Sequence, residues 1–514
     1  MPGNFRPASV APISLSRVEA LLGLPAGSNV QVTGVTHASD KVQPGDIYAA
    51  LPGSRRHGAE FAHAAVAAGA VAILTDRAIS SDVPVLLVDD PREVLGGVAD
   101  LVYGQPSRKL TILGITGTAG KTSTAYMIES GLRAAGHVTG LLGTVETRLG
   151  DLSVSSVRTT PEATDLHALF AVAVEAGVTA VVMEVSSHAL AMGRVGGVAF
   201  DVAGWTNFGA DHLDFHASTE DYFAAKAKLF DGRALVEVLN FDDLSLRTLI
   251  KPGTVTYSAA GSAEATWYAT DASEDGFGQR FRAHGPMGAL PAAVALPGRH
   301  NVANALLALA MLTSIGVRPE VASAGVAACP GVPGRLERVE TTGEVIGVVD
   351  YAHKTDAIVA ALAALRELAQ ARDGRVIAVI GAGGDRDKGK RPQMGAAAAE
   401  GSDLVIVTDD NPRTEDPAQI RQAVIEGASG KGTEVVEVAG RREAIAEAAR
   451  RARPGDVVAV LGKGHETGQE VGTETHPFDD RVELAAALKD HGEVSLGGSA
   501  AAAGRRDSSL WRRG

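Results

Sequence analysis

Apolar residues in this chain come in short unbroken runs, and each run ends abruptly in glycine and polar side chains. The stretches "TILGIT" (111–116), "AVVME" (180–184), "DVAGW" (201–205), "VIAVI" (376–380), "DLVIV" (403–407) and "DVVAV" (456–460) share this layout. Continuous rather than alternating apolar runs fit strands buried on both faces, the habit of parallel sheets. A helical segment follows the first run, "KTSTAYMIESGLRAAG". From residue 110 onward the pattern is strand, loop, helix, with later units near 376–400, 403–425 and 456–490. This predicts an α/β fold. Upstream, "PGDIYAAL" reads as a turn and a strand, and "GAEFAHAAVAAGAVAILTD" as a helix and a strand.

Breaks in the pattern place the domains. "YGQPSRK" (103–109) is a polar link with a proline, and proline and glycine cluster in "CPGVPGRLERV" (329–339). The expected domains are 1–107, 108–334 and 335–490, with a low-complexity, disordered tail over 491–514. In parallel sheets ligands sit beyond the carboxyl ends of strands. The polar loops "EVSSH", "TNFGADHLD", "GAGGDRDKGKR", "TDDNPR" and "GKGHE" all occupy that position. With the glycine-rich loop after residue 116 they suggest two sheets facing one cleft, with a hinge near 329–339 and closure of the last domain over bound ligands.

Composition narrows the partners. A length of 514 residues suits about three domains. The formal net charge of −13 argues against bulk attraction to nucleic acid or anionic membrane, so an anionic ligand needs local basic sites. The single cysteine, Cys329, excludes an intrachain disulfide and fits a reducing cytoplasm. No apolar stretch is long enough to span a membrane, and the N-terminus lacks the apolar core of a signal peptide. A cytoplasmic protein without membrane insertion or nucleic acid is expected.

The chemistry begins at "GTAGKTS" (117–123). Glycines at 114, 117 and 120 let backbone N–H groups turn inward toward phosphate oxygens, and a helix starting near Lys121 adds its positive end. Lys121 neutralises the outer phosphates and the Thr122 hydroxyl can ligate Mg²⁺. The template G-x-x-x-x-G-K-[ST] is missed because Ile115 holds its first glycine position; a shorter G-T-x-G-K-T is present. Glu184 and His212 each follow a strand in the same domain, and a carboxylate with a neutral imidazole can hold Mg²⁺ beside phosphates. The competing readings are a tight glycine turn and a structural histidine.

The motifs "GTAGKT", "TTPEA", "MEVSSHAL", "DHLDFH", "DYFAAKAKLF", "LPGRHNVANA", "PGRLERV", "DYAH", "GAGGDRDKGKRP", "TDDNPR" and "GKGHE" occur in this order. On them the chain resembles the Mur ligases, ATP-dependent amide-forming enzymes of bacterial peptidoglycan synthesis, from about residue 31 to 490. The resemblance implies an N-terminal α/β UDP-binding domain, a central P-loop-type ATPase domain, a C-terminal Rossmann-like domain for the amino acid, and a monomer. It carries the UDP substrate to His37, Ser39, Gly53, Ser54, Arg55 and Arg56, and its muramoyl-dipeptide to Thr159, Thr160, Ser186, Met192 and Arg194. It assigns ATP to Gly117, Thr118, Ala119, Gly120, Lys121, Thr122, Ser123, Asn301, Asn304, Arg335, Asp350 and His353. The amino-acid site becomes Arg386, Asp410, Asn411, Pro412, Arg413, Gly462 and Glu466. Lys226 matches a position where the amine reacts with CO₂; the resulting carbamate would join Thr122, Glu184 and His212 as Mg²⁺ ligands, the competing reading being a surface lysine.

The implied donor is UDP-N-acetylmuramoyl-L-alanyl-D-glutamate, activated as an acyl phosphate with Lys121, Glu184, His212 and Lys226 in catalytic roles. The choice of acceptor turns on Arg413. A guanidinium can grip a second carboxylate with two parallel hydrogen bonds, which favours meso-2,6-diaminopimelate over lysine. The alternative is a loop arginine paired with Glu415 or Asp416. Asp410 and Glu466 are candidates to guide the amine, against a reading as helix caps.

The chain departs from the family pattern at Ala119 (commonly Asn), Arg158, Ala210 (commonly Arg), Lys354 and Thr355 (commonly Thr-Pro), Asp40 and Met192. None removes a phosphate, metal or amino-acid ligand named above. A folylpolyglutamate synthetase would share the central chemistry but leaves "DNPR" and "GDRDKGKR" unexplained. A kinase leaves the acceptor loops unexplained. An ATP-gated scaffold would be expected to lose Lys121, Thr122, Glu184 or His212, and all are present.

Overall fold

The computed structural model describes residues 6–53, 55–209, 211–341 and 343–489. Ser54, Ala210 and the tail from 490 lie outside the described residues. The chain divides into two compact units, the main break falling between Cys329 and Pro330; short stretches at 274–279 and 295–299 group with the second.

The first unit holds two main sheets. The smaller has four parallel strands in sequence order, Gly34–Thr36, Asp46–Ala49, Ala72–Thr75 and Val85–Leu87. Its core packs against helix Pro91–Val102 and reaches Ala163 and Ala168 of helix Ala163–Glu175, which joins it to the larger sheet. That sheet has eleven strands. At its centre Thr111–Thr116 lies between Ala180–Glu184 and Phe200–Trp205, parallel to both. Register pairs Ile115 with Glu184 and Thr116 with Trp205. The loop after 116, the side chain of Glu184 and the segment after 205 are therefore neighbours at one sheet edge.

The second unit contains a six-stranded sheet in the order Glu337–Val339, Ile346–Asp350, Val457–Leu461, Val376–Ile380, Leu404–Val407 and Glu434–Glu437. All but the first are parallel. The runs at 376–380, 404–407 and 457–461 are buried at every residue, as continuous apolar strands should be. Asp350 pairs with Leu461, and Ile380 with Val407, so the loops after these strands share one edge.

Two features of this unit escape the sequence pattern. Strand Glu434–Glu437 and helix Arg441–Arg451 form an extra unit; at the sheet edge the apolar run shrinks to two valines between exposed glutamates. The supposed unit at 456–490 contains a hairpin, Gly468–Val471 with Glu474–Pro477, before its helical end. Most hairpin residues are polar, so no run announces it.

Arg441 ties the second sheet together. Its fully buried guanidinium donates to both carboxylate oxygens of Asp480, from Nε at 2.7 Å and Nη2 at 2.6 Å, and to the Leu461 carbonyl at 2.9 Å. Asp480→Ala leaves that cation without a counter-charge and is expected to destabilise the unit by about 3–5 kcal/mol. Hydrogen exchange of the Val457–Leu461 amides in urea measures this; unchanged protection would contradict it.

Candidate active site

The glycine-rich loop is built for an anion. Gly117 has φ +138°, and a methyl there would meet Thr206 Oγ1 at 1.9 Å, so only glycine fits. Thr206 Oγ1 in turn donates to the Ala119 carbonyl at 2.6 Å, and Ala119 N–H donates to Asn207 Oδ1 at 3.0 Å. The segment after strand Phe200–Trp205 thus braces the loop through the backbone of Ala119. Helix Lys121–Ala134 starts at Gly120 with no side-chain cap, and its positive end faces the loop. Asn304 lies against this turn: a methyl at Gly120 would meet its Oδ1 at 2.5 Å, and its Nδ2 donates to Asn301 Oδ1 at 3.0 Å.

Two ammonium groups meet at this loop. Lys121 Nζ donates to the carbonyls of Gly117 (2.8 Å) and Thr118 (3.1 Å), and Lys226 Nζ donates to the same Gly117 carbonyl at 2.8 Å. The surface reading of Lys226 is therefore wrong: it is 1% exposed. It lies 4.7 Å over the Tyr222 ring, whose hydroxyl is 3.1 Å from Thr118 Oγ1. Helix Thr219–Ala227 turns its 222 and 226 positions inward because residues four apart share a face. Lys228 is exposed.

Glu184, buried at its strand end, accepts from Thr122 Oγ1 (3.0 Å) and from the backbone N–H and hydroxyl of Thr144 (2.8 and 3.1 Å). A buried carboxylate touching the loop threonine supplies oxygen donors suited to Mg²⁺. Among the described residues no group of three or more His, Cys, Asp and Glu side chains forms a cation site. His212 has φ +53°; its ring lies 4.8 Å from that of His188 and 6.1 Å from that of Tyr222.

A basic group gathers nearby in the sequence's "TTPEA". Glu162 is approached by Arg158, by Arg194 at 2.9 Å and by Arg92 at 3.6 Å. Three guanidiniums around one carboxylate leave a positive surplus. Thr160 Oγ1 bonds the Glu184 carbonyl (2.9 Å) and accepts from Ser186 N–H (3.1 Å), Thr159 Oγ1 is 3.1 Å from Thr144 Oγ1, and Arg194 donates to Met192 Sδ at 3.3 Å. These dipeptide-side candidates are thus contiguous with Glu184. On the smaller sheet, His37 Nδ1 is 2.8 Å from Thr164 Oγ1, Ser39 opens a turn of 3₁₀ helix, and Arg56 lies over Phe61 and pairs with Glu60 at 2.9 Å. Arg55 is exposed.

In the second unit the strand-end loops interlock. The Asn411 amide donates to Glu466 (2.9 Å) while its Oδ1 accepts from fully buried Lys463 (2.9 Å), which also reaches Glu466 at 3.1 Å. Asp410 lies against Gly462 and 3.9 Å from Arg441. Neither Asp410 nor Glu466 caps a helix; that duty falls to Asp416 at the helix Pro417–Ala428. Arg413, after Pro412, has φ +52° and donates to Glu470 (Nε, 2.5 Å) and to the Gly384 carbonyl (Nη1, 2.8 Å). It does not pair with Glu415, which is held by Arg391 at 2.9 Å and Lys388 at 3.1 Å. Exposed Arg386 and the Arg413 guanidinium both lie beside Gly383.

Arg335, Asp350 and His353 also cluster in this unit. Arg335 lies 4.7 Å over the Tyr351 ring. Asp350 accepts from the N–H groups of Leu336 (2.7 Å) and Ala352 (2.8 Å), and burial raises its pKa despite Arg335 nearby. Burial also pushes His353 down to about 4, so it is neutral at pH 7. Thr144, Glu162, Tyr222, Lys463 and Glu470 are the participants that sequence reasoning missed. Tyr222 and Lys463 sit inside "DYFAAKAKLF" and "GKGHE" and were legible there; Thr144 and Glu470 carry no local signal.

Three family models match the chain: "Mur ligase family, catalytic domain" over residues 31–103, "Mur ligase middle domain" over 115–312, and "Mur ligase, glutamate ligase domain" over 334–464. A Streptomyces avermitilis protein named UDP-N-acetylmuramoyl-L-alanyl-D-glutamate–2,6-diaminopimelate ligase is 49% identical, covering 95% of this chain and 99% of its own. A Corynebacterium glutamicum protein of the same name is 47% identical over 86% and 89%. A solved structure of a ligase with that name superposes with a TM-score of 0.70 at 32% identity, covering 94% of this chain and all of the other. With the phosphate loop, the strand-end acceptor loops and these matches together, the chain belongs to the Mur ligase family, with its three-domain α/β architecture, and is an ATP-dependent amide ligase.

Proposed function

We propose that the chain joins the D-glutamyl γ-carboxylate of UDP-N-acetylmuramoyl-L-alanyl-D-glutamate to meso-2,6-diaminopimelate. The observation that carries the acceptor is Arg413, whose guanidinium is held in a left-handed turn at a strand end by Glu470 and the Gly384 carbonyl. Relatives named for diaminopimelate support the same reading. The γ-phosphoryl group of ATP passes to the carboxylate, giving ADP and an acyl phosphate. The amine then attacks the acyl carbon; the C–N bond forms, the C–O bond to phosphate breaks, and a carboxylate takes the amine's proton.

Within that reaction the loop N–H groups and Lys121 hold and neutralise the phosphates. Asn301, Asn304, Arg335, Asp350 and neutral His353 serve the nucleotide. Thr122 and Glu184 would hold Mg²⁺, with Lys226 as a carbamate and His212 completing the set. The metal would offset negative charge as phosphates and carboxylate meet. Carbamate formation joins Nζ to CO₂ with loss of two protons from the ammonium, turning a buried cation into an anion. Asn411, Asp410 and Glu466 would receive the reacting amino-acid head. The arginines around Glu162, with Thr159, Thr160 and Ser186, would position the dipeptide, and His37, Ser39, Arg55 and Arg56 the uridine end.

Lys121→Ala is expected to abolish turnover while leaving binding of the nucleotide dipeptide measurable by calorimetry, and Glu184→Ala to be inactive at ordinary Mg²⁺. Near-native phosphate release in either variant removes that residue's role. Lys226→Ala should lose activity and regain part of it with added acetate or formate, whereas Lys228→Ala should work normally; full activity of the Lys226 variant without additives contradicts the carbamate. For the acceptor, product formation with diaminopimelate should exceed that with lysine by on the order of 10⁴, because lysine leaves Arg413 without its carboxylate. Arg413→Ala should remove most of this preference with ATP binding unchanged. Comparable use of lysine by the unmodified protein would sink the assignment.

A further inference from the structure

The loop after strand Asp46–Ala49 carries Arg55 and Arg56, both exposed, and the residue that follows them is buried. His57 is 6% exposed, and both of its ring nitrogens are in use. Nδ1 accepts from the Ala59 N–H at 3.0 Å, and Nε2 is 2.8 Å from Asp76 Oδ1. A backbone N–H can only donate, so Nδ1 carries no proton; the ring proton sits on Nε2 and is donated to Asp76. Asp76 follows strand Ala72–Thr75, which runs parallel to Asp46–Ala49 with Leu74 opposite Ala49. The imidazole thus joins the loops at two neighbouring strand ends.

His57 also opens the 3₁₀ helix Gly58–Phe61, where it and Glu60 cap one another: Glu60 Oε1 accepts from the His57 N–H at 3.1 Å. The other oxygen of that carboxylate accepts from Arg56 Nε at 2.9 Å, and the Arg56 guanidinium lies 4.4 Å from the centre of the Phe61 ring. A continuous chain of contacts therefore runs from Asp76 through His57 and Glu60 to Arg56. The backbone supports it. The Gly58 N–H donates to the Leu51 carbonyl at 2.8 Å, and the Tyr48 hydroxyl donates to the Gly58 carbonyl at 3.0 Å. Histidine is not among the side chains favoured at a helix start. Serine or aspartate would cap this turn, but each is too short to reach the next strand end at the same time.

We propose that His57 and Asp76 are positioning residues for the uridine end of the nucleotide substrate, holding Arg56 where it meets that end. This rests on the uridine-end reading above. A long exposed side chain that must be ordered on binding costs rotamer entropy, and a guanidinium already held by Glu60 and Phe61 escapes most of that cost. The Arg56–Glu60 pair is exposed on both sides, so by itself it holds weakly. Fixing His57, to which Glu60 is bonded, supplies the rigidity that the pair lacks. Neither His57 nor Asp76 touches the substrate in this scheme.

The test measures kcat, KM for the nucleotide dipeptide and KM for ATP in Asp76→Ala and Asp76→Asn, with diaminopimelate saturating. Asparagine keeps an oxygen that can accept from His57 Nε2, and alanine does not. Asp76→Ala should raise KM for the nucleotide dipeptide by about 5-fold, the worth of one hydrogen bond. Its kcat and KM for ATP should stay within about 2-fold of the original, as should every constant of Asp76→Asn. Because the effect passes through Arg56, Asp76→Ala should add little to Arg56→Ala in the double variant. A fall in kcat, or equal rises in both KM values, would make the pair a device of folding alone. Equal effects of alanine and asparagine would make Asp76 a charge rather than the partner of His57. Additive effects would detach it from Arg56, and an unchanged KM would leave it idle; each of these overturns the proposal. If Arg56→Ala itself leaves KM for the nucleotide dipeptide unchanged, the uridine-end assignment falls and the inference with it. A raised KM in Arg56→Ala beside a silent Asp76→Ala overturns the inference alone.

Discussion

The carbonyl of Gly117 accepts from two lysines, and the rest of the phosphate site is arranged around that point. Two ammonium groups on one oxygen repel each other, and both side chains are anchored in helices of the fold. Lys121 begins the helix that follows the loop, and Lys226 is buried at the end of another helix over Tyr222. Their shared target is available because Gly117 adopts φ +138°, a conformation Thr206 would deny to any larger residue. Strand order supplies the remainder. With Thr111–Thr116 between two parallel neighbours, Glu184 and the bracing segment at 206–209 fall on either side of the loop without any long-range device. Two ammonium groups and the buried Glu184 carboxylate are thus brought to one end of the sheet.

The second unit is built differently, with charges of both signs side by side. Its loops form a lattice in which each ionic group already has an opposite neighbour: Lys463 with Glu466, Arg413 with Glu470, Arg391 with Glu415. Beneath them Arg441 is fixed by Asp480 and reaches toward Asp410. Because the side chains are bound to one another, their geometry is set before any ligand arrives, and little side-chain entropy is lost on binding.

How much of this is legible in sequence depends on what does the work. The phosphate loop acts through backbone N–H groups, glycines and one helix start, all contiguous in "GTAGKT", so the string alone identifies it. The central strands announce themselves because burial on both faces removes every polar residue from them. Lys226 was the harder case: "DYFAAKAKLF" contains two lysines two apart, and on a helix these face different ways, one buried and one exposed. The hairpin bearing Glu470 was not legible. Its residues are mostly exposed and its strands short, and its role comes from meeting Arg413, 57 positions away, through tertiary contact. Strand Glu434–Glu437 was missed for the related reason that an edge strand does not need a continuous apolar run.

This division follows from the chemistry each part performs. Phosphoryl transfer presents the same triphosphate whatever the acceptor, so its machinery can be written in backbone conformation and a few residue types. Recognising an acceptor requires side-chain charges at chosen separations, and those are assembled from loops distant in sequence. Asn411 shows how such loops are tied to one another. Its side chain donates to Glu466 and accepts from both Lys463 and the Glu470 backbone, so one amide links the residues beside Asp410 to those beside Arg413. A shift of either loop would be transmitted to the other through that amide, so the separation of the two loops is set by a single buried side chain.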